Sequence, residues 1–305
     1  MTGGWSDGIL GGVGASSEAA VTTTAVLHDG SGIAVAVQGS GPALLLPVPL
    51  AAHTPEEAEM IRQWGGDPDL GRTLVEGLSD SNRVIAVDYE AHRMANPAAS
   101  TLTPANVVAD LLAIADAAGA RTFAYYGYSW LALCGLQLAI RTGRLGALAV
   151  GGFPPVDGPY ESMLAVTRAA HEASLRAITE PAPRIEEVKP GDWDSASIQT
   201  NEDQTRQFLT LYEALQDFDD AAAPIPAGLP RLAFAGAGDN IDYSPQWGGV
   251  RVRIGEPLAR HERELVEAGW EVQVLPGLDH LGAMQGAVVL PLLRDWLQKV
   301  GWSAG

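Results

Sequence analysis

This sequence predicts an α/β architecture: a mostly parallel central sheet covered by helices, with a mainly helical cap inserted. Three observations carry that expectation. Short, mainly apolar runs recur at 43–46, 82–89, 121–127 and 145–152, as in strands buried on both faces. Segments with helical periodicity or helix start and stop signals separate them, as crossovers between parallel strands require. The alternation breaks at Phe153-Pro154-Pro155 and resumes at "RLAFAG" (231–236), leaving a helical, mixed-polar insertion.

Residues 1–20, rich in Gly, Ser and Ala, read as a flexible arm, without the basic start and long apolar core of a signal peptide. The run 21–27 is β-rich, "HDGSG" (28–32) has turn chemistry, and 33–37 alternates, so a hairpin is predicted. "GSGP" (39–42) turns the chain into the strand at 43–46. Residues 68–78 read as a helix ending near Gly77, and "NRVIAVDY" (82–89) as a second buried strand. Thr103-Pro104 supplies an N-cap and a first-turn proline. Val108, Leu111, Leu112 and Ala115 follow at helical spacing, and Gly119 ends that helix. "RTFAYYG" (121–127) is a strand, a helix runs from after Ser129 to about Thr142, and "LGALAVGG" (145–152) is the next strand.

The core is thus expected at 21–153 and 227–305, with 154–226 as the cap, where Trp193, Phe208, Tyr212 and Phe218 are scattered. Beyond 231–236, a helix at 257–268 closed by Gly269, a strand at 270–277 and a helix at 287–300 complete the pattern.

The length of 305 residues fits one large α/β domain with an insertion, or two ordinary domains. The net charge of −18, from 37 acidic and 19 basic residues, argues against nucleic acid and anionic membranes, which need clustered Lys and Arg. No apolar run reaches the ~18 residues of a membrane span. The single cysteine, Cys134, excludes an internal disulfide and sits in an apolar run, so it is expected to pack. A reduced, cytoplasmic protein is the resulting expectation. The six histidines show no H-x₃-H spacing, so no metal is predicted. No dinucleotide or P-loop glycine motif occurs, and "GAGDN" (236–240) is not followed at once by a helix, so no cofactor is predicted.

Ligands of an open parallel sheet sit beyond the carboxyl ends of its strands, so chemistry is sought there. Three residues qualify: Ser129 after 123–127, Asp239 after 232–236, and His280 after 272–276. A serine hydroxyl needs a base to take its proton and an acid to hold that base. The chain order Ser, Asp, His suits a nucleophile on a strand-to-helix turn. Asp279, Asp157 and Asp242 remain as other acids near strand ends.

Gly127-Tyr128-Ser129 resembles the start of the G-x-S-x-G elbow of the α/β-hydrolase superfamily. "RVIAVDY" is similar to the strand and aspartate that follow its oxyanion loop, and "GLDHLGA" to its histidine loop. The resemblance runs from about residue 21 to 300. It implies Ser129 as nucleophile, His280 as base, Asp239 as orienting acid and the Trp130 N–H as one oxyanion donor.

Two departures stand out. Leu131 replaces the second glycine of the elbow, which implies a wider turn or a smaller facing residue. Where relatives carry His-Gly, this chain has Pro47-Val48-Pro49-Leu50, and proline offers no N–H. The second oxyanion donor is therefore sought at Val48 or Leu50, or in a side chain, with His53 nearest.

Candidate substrate contacts are His53, Tyr128, Trp193, Tyr212, Tyr243 and Trp247, with Trp130 shaping the acyl pocket. In "EAHR" (90–93), His92 and Arg93 are candidates for a polar substrate group, against a solvated loop. The long segment 242–255 either lines an entrance or mediates contacts in a homo-oligomer.

The expected activity is hydrolysis of a small, largely apolar acyl substrate. The alternatives are a non-hydrolytic lyase or cyclase on the same fold, and a ligand-binding protein.

Overall fold

The computed structural model describes residues 21–49, 51–177 and 201–304, so the arm at 1–20, Leu50 and Trp193 lie outside the described residues. Strands β1 (Val21–Val26) and β2 (Gly32–Gln38) form the predicted antiparallel hairpin. β3 (Ala43–Leu46) follows, fully buried. Helix α1 (Pro55–Gln63) starts on a capping box, with Thr54 and Glu57 each accepting the other's backbone N–H. α2 (Leu70–Leu78) leads to β4 (Arg83–Ala86). The apolar run 82–89 does not stay extended to its end. The Asp88 carboxylate accepts the Ala91 N–H and starts α3 (Tyr89–Ala95).

α4 (Pro104–Ala117) begins on the predicted Thr103 cap, whose hydroxyl accepts the Asn106 N–H. β5 (Phe123–Tyr128), α5 (Trp130–Ala139) and β6 (Leu145–Gly151) follow. The insertion contributes α6 (Tyr160–Ala177) and α7 (Glu202–Glu213). β7 (Arg231–Gly236) returns to the sheet. β8 (Asn240–Asp242) and β9 (Arg251–Arg253) make a small hairpin. The predicted helix at 257–268 is two short helices, α8 (Gly255–Arg260) and α9 (Glu262–Glu267), meeting at His261. β10 (Trp270–Leu275), α10 (His280–Ala283) and α11 (Gly286–Lys299) close the chain.

The eight-stranded sheet has the order β1-β2-β4-β3-β5-β6-β7-β10. β1, β2 and β4 pair antiparallel in turn, and every other pairing is parallel. Side chains alternate across it. In β5, Phe123 and Tyr125 join a core with α4 and α5, while Ala124, Tyr126 and Tyr128 join one with α2 and α11. The connection after β3 runs outward to β4, and the one after β5 runs the other way to β6. The carboxyl ends of β3 and β5 therefore flank the switch point, where parallel sheets open a crevice.

The insertion is stitched together and then to the core. His171 Nδ1 and Ser174 Oγ of α6 lie 3.0 and 2.9 Å from Thr205 Oγ1 of α7. From α7, Gln204 and Gln207 donate to the Met94 and Arg93 carbonyls of α3, and Thr210 donates to that of Ala99. Gln207 and Thr210 are buried, so these bonds satisfy groups that would otherwise cost stability. Among the described residues no helix is long and apolar enough to cross a membrane.

Candidate active site

Ser129 joins β5 to α5 with φ 57° and ψ −128°, a region that β-carbon-bearing residues avoid. Its N–H donates to the Gly151 carbonyl at 2.8 Å, and its own carbonyl accepts from Ala132 and Leu133. The strain is thus held by bonds on both sides and turns the residue out at the strand end. Gly127 permits this: a β-carbon there would lie 2.3 Å from the Leu131 carbonyl oxygen.

Leu131 does not widen the turn. Its backbone carbonyl accepts the Tyr125 hydroxyl at 2.8 Å, and the residue lines the cavity below the cap. Helix and strand approach closely both here, where Gly127 meets the Leu131 carbonyl, and one turn later at Gly135, where a β-carbon would stand 2.7 Å from the Tyr125 ring. The glycine expected at 131 thus has its counterpart at 135.

His280 opens α10, and its Nδ1 lies 2.9 and 3.0 Å from the two carboxylate oxygens of Asp239, which is fully buried. That pairing leaves Nε2 as the second ring nitrogen. Tyr128 donates its hydroxyl to the His280 carbonyl at 2.7 Å, and its ring sits 5.1 Å from the imidazole. Burial, with the nearby Asp239 charge, pushes the Tyr128 phenol well above its ordinary pKa, so it is a neutral donor.

The other acids are occupied elsewhere. Asp279 caps α10 through the Gly282 N–H, Asp157 pairs with Arg260, and Asp242 with Arg251.

The oxyanion side is uneven. Trp130 is the first residue of α5, so its N–H has no acceptor within the helix. At the end of β3, Pro47 and Pro49 have no N–H, and that of Val48 donates to the Leu46 carbonyl at 3.0 Å. Val48, expected as a second donor, is therefore already committed. Leu50, the other backbone candidate, lies outside the described residues. His53 lines the same cavity.

That cavity has a volume of about 630 Å³ and holds Ser129 and His280. Met163 and Val166 of α6 and Phe208 and Tyr212 of α7 roof it, while Tyr243 and Trp247 form a side wall. Trp130 stands in its floor, with the Phe208 ring edge-on at 5.2 Å. Tyr128, Tyr212, Tyr243, Trp247 and His53, the described candidates for substrate contact, all line this one space. A second cleft of about 520 Å³ holds Asp157, Glu161, Arg251, Arg253 and Arg260. Its serine, Ser162, donates to the Pro159 carbonyl, no histidine lines it, and its three arginines are paired with acids, so the chemistry is sought in the first.

His92 and Arg93 face away from the cavity. His92 Nε2 lies 2.9 Å from Ser31 Oγ, and the fully buried Arg93 pairs with Asp29 at 2.9 Å, tying α3 to the β1–β2 turn. The residue of "EAHR" that enters the cavity is Glu90, which the sequence reading passed over. Enclosure raises its carboxyl pKa; the Trp130 indole N–H works the other way, and the Asp88 charge adds to the rise. That indole contact lies outside normal hydrogen-bond geometry, so the buried Nε1 has no proper acceptor. Cys134 is buried, and burial raises its thiol pKa, as packing rather than chemistry requires.

A cap over the crevice, a strained serine at the end of β5 and a histidine beyond the last parallel strand are features of the α/β-hydrolase fold, and the chain has that fold. No protein-family model and no curated protein sequence matches it. Solved structures do. An esterase from Thermogutta terrifontis, with malate bound, is 17% identical with a TM-score of 0.55, covering 92% of this chain and 99% of that one. A variant of AqdC, in complex with the Pseudomonas quinolone signal that it recognises and ring-cleaves, is 15% identical with a TM-score of 0.59, covering 92% and 100%. An epoxide hydrolase from Vigna radiata is 16% identical with a TM-score of 0.54, covering 92% and 98%. Likeness at such identity establishes the fold.

Proposed function

We propose that this chain is a serine hydrolase cleaving an ester, lactone or thioester of a largely apolar acyl compound. The observation that carries the reading is the strained backbone of Ser129, held at the floor of a cavity that the paired His280 also lines. Strain of this kind persists only where the surroundings fix it, and it collects at functional sites.

Ser129 Oγ attacks the acyl carbonyl as His280 Nε2 takes its proton. Asp239 accepts the Nδ1–H, fixes the tautomer and stabilises the imidazolium. The oxyanion faces the Trp130 N–H. The leaving alcohol or thiol departs with the proton from His280, and water, deprotonated by the same nitrogen, releases the acid.

Incubation with a fluorophosphonate tests the reading. One label per chain is expected at Ser129. Ser129→Ala is expected to abolish it and to lower ester turnover by roughly 10³-fold or more. A folded wild-type protein that takes no label refutes hydrolysis at Ser129.

A second reading has its own observation, the loop at 47–49, which offers no uncommitted backbone N–H. On that reading the fold hosts a non-hydrolytic lyase or cyclase step, or binds its ligand without turnover. Absence of the label in folded protein supports it.

A further inference from the structure

Glu90 has open surface, and it belongs to the wall of the main cavity. A carboxylate that faces a cavity lined mainly by apolar and aromatic side chains is open to pairing with a cation that enters it. The described residues lining the cavity include no lysine or arginine. His280 is held by Asp239. The other lining carboxylate, Asp67, is satisfied, accepting the backbone N–H groups of Asp69 and Gly286. Among the described residues, Glu90 has only the off-geometry indole N–H of Trp130 beside it.

The cavity that Glu90 lines also has aromatic walls. Trp130, Phe208, Tyr212 and Trp247 line the same space and offer ring faces of negative potential. A lone carboxylate among aromatic faces is the complement of an organic cation. The net charge of −18 attracts cations to the protein as a whole. A neutral donor would satisfy one hydrogen bond and leave the charge uncompensated.

We propose that Glu90 is a specificity-determining residue that pairs with a protonated amine, so that the cavity selects acyl compounds carrying an organic cation. Glu90 abuts the side chain of Trp130, and Trp130 directly follows Ser129. The word "acyl" rests on the proposed hydrolysis; selection of the cation does not.

The test separates the two. Binding of phenylbutylamine and phenylbutanol, alike except at the terminal group, is measured by calorimetry on the full chain at mildly alkaline pH, where the amine is charged. The amine is expected to bind about tenfold tighter or more than the alcohol in wild type and in Ser129→Ala. Glu90→Gln is expected to bring the two within about twofold while leaving alcohol affinity and Tm unchanged. Glu90→Asp, with its carboxylate drawn back, is expected to fall between, and it serves if the amide variant does not fold. Equal binding of the two probes, no binding of either, or an amine preference that survives Glu90→Gln overturns the proposal. Failure of fluorophosphonate labelling with the amine preference intact overturns hydrolysis alone.

Discussion

Replacing Gly127 by alanine tests whether the turn at Ser129 is built as the structure describes. The added β-carbon would lie 2.3 Å from the Leu131 carbonyl oxygen and 2.6 Å from its carbon. Ordinary contact is farther by about 1 Å. Neither atom can swing aside, because both belong to the backbone of α5, and that carbonyl also accepts the Tyr125 hydroxyl. The first turn of α5 must therefore move away from β5, and Ser129 lies between the two. Overpacking of this kind costs about 1–3 kcal/mol. A reacting group misplaced by about 1 Å loses on the order of 10²-fold in rate. The measurements are kcat/KM on an acyl ester, fluorophosphonate labelling rate and thermal unfolding. Gly143→Ala is the control, because its β-carbon would meet nothing within 4 Å; it is expected to change stability by no more than about 0.5 kcal/mol. A folded Gly127→Ala protein with turnover within about twofold of wild type would refute the account of the elbow.

Asp239→Asn is expected to lower turnover by orders of magnitude, though less than Ser129→Ala, and a comparable loss in Asp157→Asn or Asp242→Asn instead would move the acid to another strand end. Tyr128→Phe leaves the His280 carbonyl without its 2.7 Å partner, and a loss of about 1 kcal/mol in urea unfolding is expected, with kcat falling more than KM rises. Asp29→Asn strips the fully buried Arg93 of its ion partner, and about 3 kcal/mol should be lost at neutral pH. Burial alone would raise the Asp29 pKa, but the Ser31 hydroxyl, the Arg93 guanidinium and the Ser31 N–H together hold it well below the usual range. A depressed folded-state pKa gives stability that is present above the unfolded value and lost as pH falls through the folded one. The gap between wild type and Asp29→Asn should therefore narrow in acid below about pH 4, and a gap that stays constant there contradicts the assignment.

Much of the sheet was legible because its strands are buried on both faces and bounded by turn residues. The run 231–236 and the strand at 43–46 read off to the residue for that reason. Ser129, Asp239 and His280 were legible as strand-end residues, and the structure brings the latter two into contact. What escaped was decided locally or by tertiary packing. α1 was missed although Thr54-Pro55-Glu56-Glu57 carries its cap, because the helix buries no residue and shows no apolar stripe. α3 was missed because apolar Val87 and Tyr89 continue the strand pattern, while one carboxylate, Asp88, ends it. Glu90 escaped for a related reason. Only on a helix does it point away from His92 and Arg93, its neighbours in sequence. Its place in the cavity wall depends on tertiary packing that the sequence does not display.

The two departures from the family pattern have different physical weight. Leu131 is harmless because close packing needs a small residue somewhere along the contact, and Gly135 supplies it against Tyr125. The departure at 47–49 has no such replacement among the described backbone groups. Leu46 O already accepts two N–H groups, from Val48 and Val87, so the loop is pulled back onto the sheet at its root. Gly71 of α2 presses from behind: a β-carbon there would lie on the Pro49 carbonyl oxygen. Between these contacts and two fixed proline φ angles, the loop is stiff. A stiff loop with no spare donor cannot turn a backbone N–H toward an oxyanion as the reaction proceeds. One missing donor is worth on the order of 10²–10³ in rate. On the hydrolase reading, the loss must be met by the Leu50 N–H, which lies outside the described residues, or by a side chain that reaches toward the Trp130 N–H from the cavity. His53 is the sequence's nearest candidate, and it lines that cavity. A protonated imidazole there would supply charge as well as a hydrogen bond, which a backbone amide cannot.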